Sequence, residues 1–132
     1  MKEYKLGKKE IEAVSALPYG ARYAYFIKKV ADWKLIWTLE SPDGFVLLGS
    51  RDGRERVPVW PHSEFARRLA VDKWSDAKAT SIPLDAWLDL WTPGLTRDNR
   101  LVAVLPNTRL DATSIEAQKL AADIREELGR LI

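Results

Sequence analysis

The hydrophobic period of the chain changes at Lys34, and no other feature restricts the fold as much. Through YGARYAYFIKKVADW, residues 19–33, Tyr19, Tyr23, Phe26, Ile27 and Val30 recur at helical spacing, while Arg22, Lys28, Lys29 and Asp32 point elsewhere. A segment with that stripe buries one face of a helix. Beyond Lys34 the apolar residues fall into short β-rich runs, KLIWTLE and GFVLLGS, joined by SPDG. A second Asp-Gly pair, Asp52 and Gly53, leads into RERVPVW. Asp-Gly between apolar runs signals a hairpin, because the tight turn needs a positive φ that glycine adopts freely. The expectation is a three-stranded meander. Pro58 has no N–H to give to a ladder, so the third run is expected to be an edge strand or only partly paired.

The flanking segments follow the same logic. Lys8–Leu17 is predicted to form a short helix halted by Pro18, which suits the first turn of the next one. Pro61 starts another short helix, with Phe65, Ala66, Leu69 and Ala70 facing inward and Arg67 and Arg68 outward. After the extended piece ATSIP, LDAWLDLW sets Leu84, Trp87, Leu88 and Trp91 at i, i+3, i+4 and i+7, the spacing of a buried helical stripe. TPGLTRDN is expected to be a loop, LVAVLP a central strand and TRLD a short return. Thr113 and Glu116 have the spacing of a capping box, so the last helix is predicted to begin at Thr113. Its apolar stripe is Ala117, Leu120, Ala121, Ile124, Leu128 and Leu131, and Glu126 and Arg130 form an i, i+4 pair. Together these elements predict an α+β fold: one domain over residues 1–132, with a four- or five-stranded, mainly antiparallel sheet and about five helices packed against it.

Charge and composition exclude several classes of function. The 21 Lys and Arg are nearly matched by 19 Asp and Glu, interleaved along the chain, which does not suggest a nucleic-acid binder. Lys2, Lys5, Lys8 and Lys9 alternate with Glu3, Glu10 and Glu12 and read as a solvated face. There is no cysteine, so disulfides, thiolate metal sites and thiol nucleophiles fall away together. Without a signal-peptide core or an apolar stretch of about 20 residues, the expectation is a cytoplasmic protein with no membrane partner. His62 is the only histidine, which removes paired-histidine metal motifs. Gly44, Gly49 and Gly53 are dispersed, and neither the Walker pattern nor the dinucleotide fingerprint occurs. No metal and no cofactor is expected.

Two catalytic arrangements are open on paper. His62 with Ser63 or Ser81 and an aspartate has the residue types of a hydrolase or transferase, but no nucleophile-elbow sequence accompanies it. Asp85 and Asp89, one helical turn apart, have the spacing of a carboxylate pair; the plainer interpretation is two solvated acids opposite the Leu84, Trp87, Leu88 stripe.

The remaining distinction is tryptophan: Trp33, Trp37, Trp60, Trp74, Trp87 and Trp91 in one small chain. Most of these rings are needed inside to offset conformational entropy. Trp60 stands apart in VPVWPHSEF, where prolines on both sides stiffen an extended segment ending at a helix start. A Pro-bracketed aromatic beside a titratable ring gives contact area at low entropic cost, which suits a groove for a peptide or another protein's loop. The structural alternative is that Trp60 caps the core and His62 begins the helix. The candidate binding set is Trp60, His62, Arg22 and Tyr25, with no catalytic residue assigned. The expected function is non-catalytic binding of another protein or a peptide, of a regulatory or toxin-neutralising kind. A His62-based hydrolase or transferase is the alternative. The third reading is single-stranded nucleic-acid binding through Arg51, Arg54, Arg56, Arg67, Arg68 and exposed aromatics.

ARYAYFIKKVADW, then DGFVLLGSRDGRERVPVWPHSEFA, then SIPLDAWLDLWTPGL with LVAVLP, resemble the bacterial family described only as domain of unknown function 2750. The resemblance runs from roughly Arg22 to Pro106 and includes the Pro-Val-Trp-Pro-His segment. It implies the domain and carries no activity, cofactor or catalytic residue with it.

Overall fold

The computed structural model describes residues 3–49 and 52–131. Helix α1, Lys8–Ser15, ends ahead of Pro18, and Pro18 takes the N-cap of α2, Tyr19–Trp33, its carbonyl accepting from Arg22 N–H at 2.9 Å. Helix α2 buries Phe26, Ile27, Val30 and Ala31, as its spacing predicts. Two residues reverse their expected sides: Tyr19 is 53% exposed and Arg22 is only 3% exposed. Tyr19 opens the helix at the rim of the core, and the Arg22 guanidinium carbon lies 5.2 Å from its ring centroid, so the arginine stem passes inside. Lys34, in the left-handed region at φ 60°, ends α2 and turns the chain into the first strand.

Strand β1, Leu35–Ser41, turns back through Pro42 and Asp43 into β2, Gly44–Phe45, pairing Glu40 with Phe45 and Ser41 with Gly44. Gly44 sits at φ 130°, which explains the glycine of SPDG. Then follow β3, Arg56–Val59; α3, Ser63–Arg67; a 3₁₀ turn, Asp72–Trp74; and β4, Lys78–Pro83. Helix α4 is one continuous helical stretch made of Leu84–Ala86, a π-helical turn at Trp87–Trp91, and Thr92–Arg97. The chain closes with β5, Leu101–Val104; β6, Thr113–Glu116; and α5, Ala117–Arg130. Five helices among the described residues match the expected number.

The sheet differs from the prediction. Instead of one sheet of four or five strands there are two of three, in the orders β2-β1-β4 and β3-β5-β6, and β3 runs parallel to β5. The meander stops after β2, since β3 takes β5 as its ladder partner. Along β3, Leu101 N–H bonds Glu55 O and Leu105 N–H bonds Val59 O, so alternate residues face β5. Arg56 and Trp60 face the other way and meet Leu48 and Trp37 in two isolated bridges. Pro58 falls between those bridges, on the side where no N–H is demanded, and its carbonyl accepts from the Thr38 hydroxyl at 2.7 Å. The two sheets are therefore stitched rather than merged, and β3 is an edge strand as Pro58 requires. Strand β5 is buried at all four positions and central in its sheet, as LVAVLP suggests.

Two further predictions are corrected. TPGLTRDN does not form a loop throughout, because the helix continues to Arg97. The ring of Pro93 would meet the Asp89 carbonyl in an unbroken α-helix, and the π turn just before it widens the backbone: Thr92 N–H and hydroxyl both bond Trp87 O, the hydroxyl at 2.9 Å. The last helix starts at Ala117, not Thr113. Residues Thr113–Glu116 extend along β5 instead, and the Glu116 carboxylate pairs with Arg54 at 2.6 Å rather than reaching back to cap. This strand, and not TRLD, is the return. Ala117, Leu120, Ala121 and Ile124 are buried as predicted, Leu131 is exposed, and the Arg130–Glu126 pair closes at 2.6 Å. Helix α5 docks on α2, where Tyr23 donates to Asp123 at 2.5 Å. The core joins Phe26 and Val30 of α2, Ile36 and Leu39 of β1, Val57 and Val59 of β3, and Leu120 and Ile124 of α5.

Candidate peptide-binding site

The VPVWPHSEF segment carries β3 into α3; between its two prolines Val59 pairs towards β5 and Trp60 towards β1. Its N–H and carbonyl exchange bonds with Trp37 at 2.8 Å each, and its indole N–H donates to Pro106 O at 3.0 Å. Trp60 thus lies at the junction of the sheets and is wholly buried. It offers no face to a ligand, and its place in the candidate binding set gives way to the core-capping role.

His62 sits two residues on, in extended conformation, as the N-cap of α3. Its Nδ1 accepts from Glu64 N–H at 3.1 Å, so that nitrogen carries a lone pair and Nε2 carries the proton, which bonds Tyr4 O at 2.8 Å. Both ring nitrogens are committed. Ser63 is wholly buried, and its N–H and hydroxyl both donate to the Glu3 carboxylate, at 2.9 and 3.0 Å. A serine whose hydroxyl serves a carboxylate and a histidine without a free lone pair do not make a nucleophile and its base. Ser81 lies on β4 opposite Trp37, away from His62 in the chain's register. Asp85 and Asp89 are both exposed, with Asp85 bonding the Ala86 N–H beside it.

His62 and Tyr25, two members of the candidate set, are brought together by Tyr4. The Tyr4 ring stands edge-on to His62 at 4.9 Å and tilted against Trp33 at 5.8 Å, and Lys29 Nζ lies 4.6 Å from its centroid. Tyr25 donates to Glu10 at 2.7 Å, so the Tyr4 hydroxyl is the donor in the 2.9 Å bond to Tyr25. Burial pushes both phenols well above their ordinary range, and for Tyr25 the bonds to Tyr4 and Glu10 add to it. Both phenols therefore stay protonated through neutral pH, and each donates one step along the line from Tyr4 to Tyr25 to Glu10. Helix α2 supplies Tyr25, Lys29 and Trp33 to one wall; the start of α3 supplies His62 and Ser63 to the other. The chain's own Glu3 and Tyr4 fill the slot, Tyr4 to 7% exposure.

Arg22, the fourth expected residue, lies elsewhere, buried beside Tyr19, and its Nη1 has no hydrogen-bond partner among the described residues. Each described arginine of the nucleic-acid reading bonds a group of the chain itself. Arg54 holds Glu116 through two bonds of 2.6 and 3.0 Å, and Arg56 holds Gly49 O and Ser114. Arg67 pairs with Glu64, Arg68 bonds Ser15 at 3.2 Å, and Arg51 lies outside the described residues. Glu3, Tyr4, Glu10 and Lys29 escaped the sequence reasoning, since Tyr4 and His62 are 58 positions apart. The available signal was a lone aromatic, Tyr4, inside an otherwise charged N-terminal run.

Among the described residues no helix is long and apolar enough to cross a membrane. No curated protein sequence matches the chain. A family model described as protein of unknown function, DUF2750, matches residues 23–124, a span that includes the slot walls Tyr25, Lys29, Trp33, His62 and Ser63 and excludes Glu3, Tyr4 and Glu10. With that match covering most of its length, the chain belongs to the DUF2750 family.

Proposed function

We propose that this domain is a non-catalytic peptide-binding module, and that its slot between α2 and α3 takes an acidic residue followed by an aromatic one. The observation that carries the proposal is the manner in which Glu3 and Tyr4 are held. One carboxylate meets a backbone N–H and a hydroxyl, one main-chain carbonyl meets an imidazole N–H, and one ring meets an aromatic wall capped by an ammonium. Those are the contacts by which domains read short peptides: main-chain bonds set register and a side-chain slot sets specificity. The walls lie in the family-matched span and the occupant lies outside it. A partner segment with the same two side chains, in a regulatory or neutralising complex, would replace the chain's own.

The test uses the full chain carrying Tyr4→Ala, which empties the ring slot, titrated with the heptapeptide MKEYKLG and followed by amide NMR. A Kd on the order of 0.1–1 mM is expected, matching a binding free energy of about −4 to −5.5 kcal/mol. Shifts should centre on Lys29, Trp33, His62 and Ser63. The wild-type chain should bind the peptide about two- to tenfold more weakly, because its tethered segment competes at millimolar effective concentration. Glu3→Gln serves as a second, milder variant. A folded variant that shows no response at these residues with several millimolar peptide, or that responds equally to MKEAKLG, overturns the proposal.

A further inference from the structure

A second surface lies at the far end of α3. Arg68 and Leu69 leave the helix, Val71 and the 3₁₀ turn carrying Lys73 and Trp74 follow, and Leu110 of the β5–β6 loop closes the opposite wall. They enclose a groove of about 450 Å³. Its floor is apolar, and Val71 remains 52% exposed on it. Among the described residues neither cation has a carboxylate partner: Arg68 reaches only the Ser15 hydroxyl, at 3.2 Å, and Lys73 Nζ rests 4.7 Å from the Trp74 centroid.

Both walls are stiff. Asn107 Oδ1 accepts from Arg109 N–H and Asp111 N–H at 3.0 and 3.1 Å, and Leu110 N–H bonds Asn107 O at 2.8 Å. Leu110 at φ 64° holds a left-handed conformation that its side chain makes costly, by about 1 kcal/mol or more, and Asp72 at φ 53° holds one that an aspartate tolerates better. Strain of that kind persists where surrounding structure enforces it, and it concentrates at binding surfaces.

We infer that this groove docks an acidic amphipathic segment of a partner protein, seating one large apolar side chain on Val71, Leu69, Trp74 and Leu110 while its flanking carboxylates meet Arg68 and Lys73. Charge complementarity favours that choice: Arg68 and Lys73, without a carboxylate partner among the described residues, outnumber Asp72, the single acid on the lining, so the groove selects a ligand that is greasy at its centre and anionic at its edges. Single-stranded nucleic acid fits less well. It needs open ring faces and a continuous cationic track. Here a single tryptophan lies in the groove, with Lys73 already beside it, and Asp72 interrupts the track.

The experiment titrates the full wild-type chain with acetyl-EDLFEDL-amide, the lysine-for-acid control acetyl-KNLFKNL-amide, and a ten-nucleotide oligo(dT), again by amide and indole NMR. The acidic peptide is expected to shift Val71, Lys73, Leu110 and the Trp74 indole, and to weaken at least tenfold in the Arg68→Glu, Lys73→Glu double variant. Both altered side chains are exposed, so that variant should keep the wild-type spectrum elsewhere. Val71→Asp provides an independent block of the floor. No shift at the groove with 2 mM acidic peptide overturns the inference. So does equal binding of the lysine control, indifference to charge reversal, or tighter binding of oligo(dT) at the same residues. None of these outcomes involves the Tyr4 slot, so the two proposals stand or fall separately.

Discussion

Arg22→Met should make this protein more stable. The arginine is 3% exposed, and its Nη1 finds no acceptor among the described residues. A buried charged donor left unsatisfied costs about 1–3 kcal/mol in desolvation that no hydrogen bond returns. Methionine keeps a straight stem of similar reach, matches arginine in helix propensity and needs no partner. What is lost is the cation–π contact with Tyr19, 5.2 Å from the guanidinium carbon. With that ring 53% exposed the contact contributes about 0.5–1 kcal/mol. The balance is a gain of about 0–2.5 kcal/mol, centred near 1. For 132 residues, an unfolding entropy of about 2.1 cal/mol/K per residue converts that gain to a Tm rise of about 4 °C, and at most about 9 °C. Thermal unfolding by circular dichroism, with urea titration to confirm an unchanged m-value, measures it. Arg22→Lys is the control, since it keeps the charge and should gain nothing. A fall in Tm for Arg22→Met would refute the reasoning, because it would mean that the guanidinium is satisfied in solution by a group worth more than its desolvation.

Two other perturbations test the packing between elements. Burial works against ionisation of Asp123, yet the hydrogen bonds from Lys119 at 2.8 Å and Tyr23 at 2.5 Å hold its carboxyl below the ordinary 3.8. A depressed folded value means its stabilisation is complete above about pH 4 and drains away as pH falls through the folded value. Asp123→Asn should therefore cost about 1 kcal/mol at neutral pH, and its deficit relative to wild type should shrink in urea melts as pH falls below the ordinary 3.8 and through the depressed folded value; a deficit constant with pH would contradict the assignment. Thr92→Val removes the hydroxyl that bonds Trp87 O at 2.9 Å inside the π turn while keeping side-chain volume. A loss of about 1 kcal/mol in chemical denaturation is expected, and an unchanged midpoint would show that the Thr92 amide alone holds the turn.

The elements whose signals are local were legible in the sequence. The Phe26, Ile27, Val30 stripe, the Asp-Gly turn into β2, the buried run of β5 and the Leu120, Ile124 face of α5 each depend on residues a few positions apart. The errors arose where a local preference competed with a distant partner. Thr113 and Glu116 have good capping chemistry, but pairing with Val104 and Leu101 satisfies four residues of backbone at once, and Arg54 draws the Glu116 side chain away. Similarly, TPGLTRDN carries turn residues, yet a π turn upstream of Pro93 lets the helix proceed.

The same division holds at the candidate sites. Composition and spacing alone removed disulfide, thiol, paired-histidine and phosphate-loop chemistry, and they directed attention to VPVWPHSEF and to Tyr25. Only the tertiary structure decided that Trp60 is enclosed at the join of two sheets, that His62 spends both nitrogens on Glu64 and Tyr4, and that Arg22 points inward. The physical reason is sequence separation. Trp60 meets Pro106 across 46 positions and Ser63 meets Glu3 across 60, and contacts that close such loops leave no periodic trace in the sequence for a local pattern to reveal.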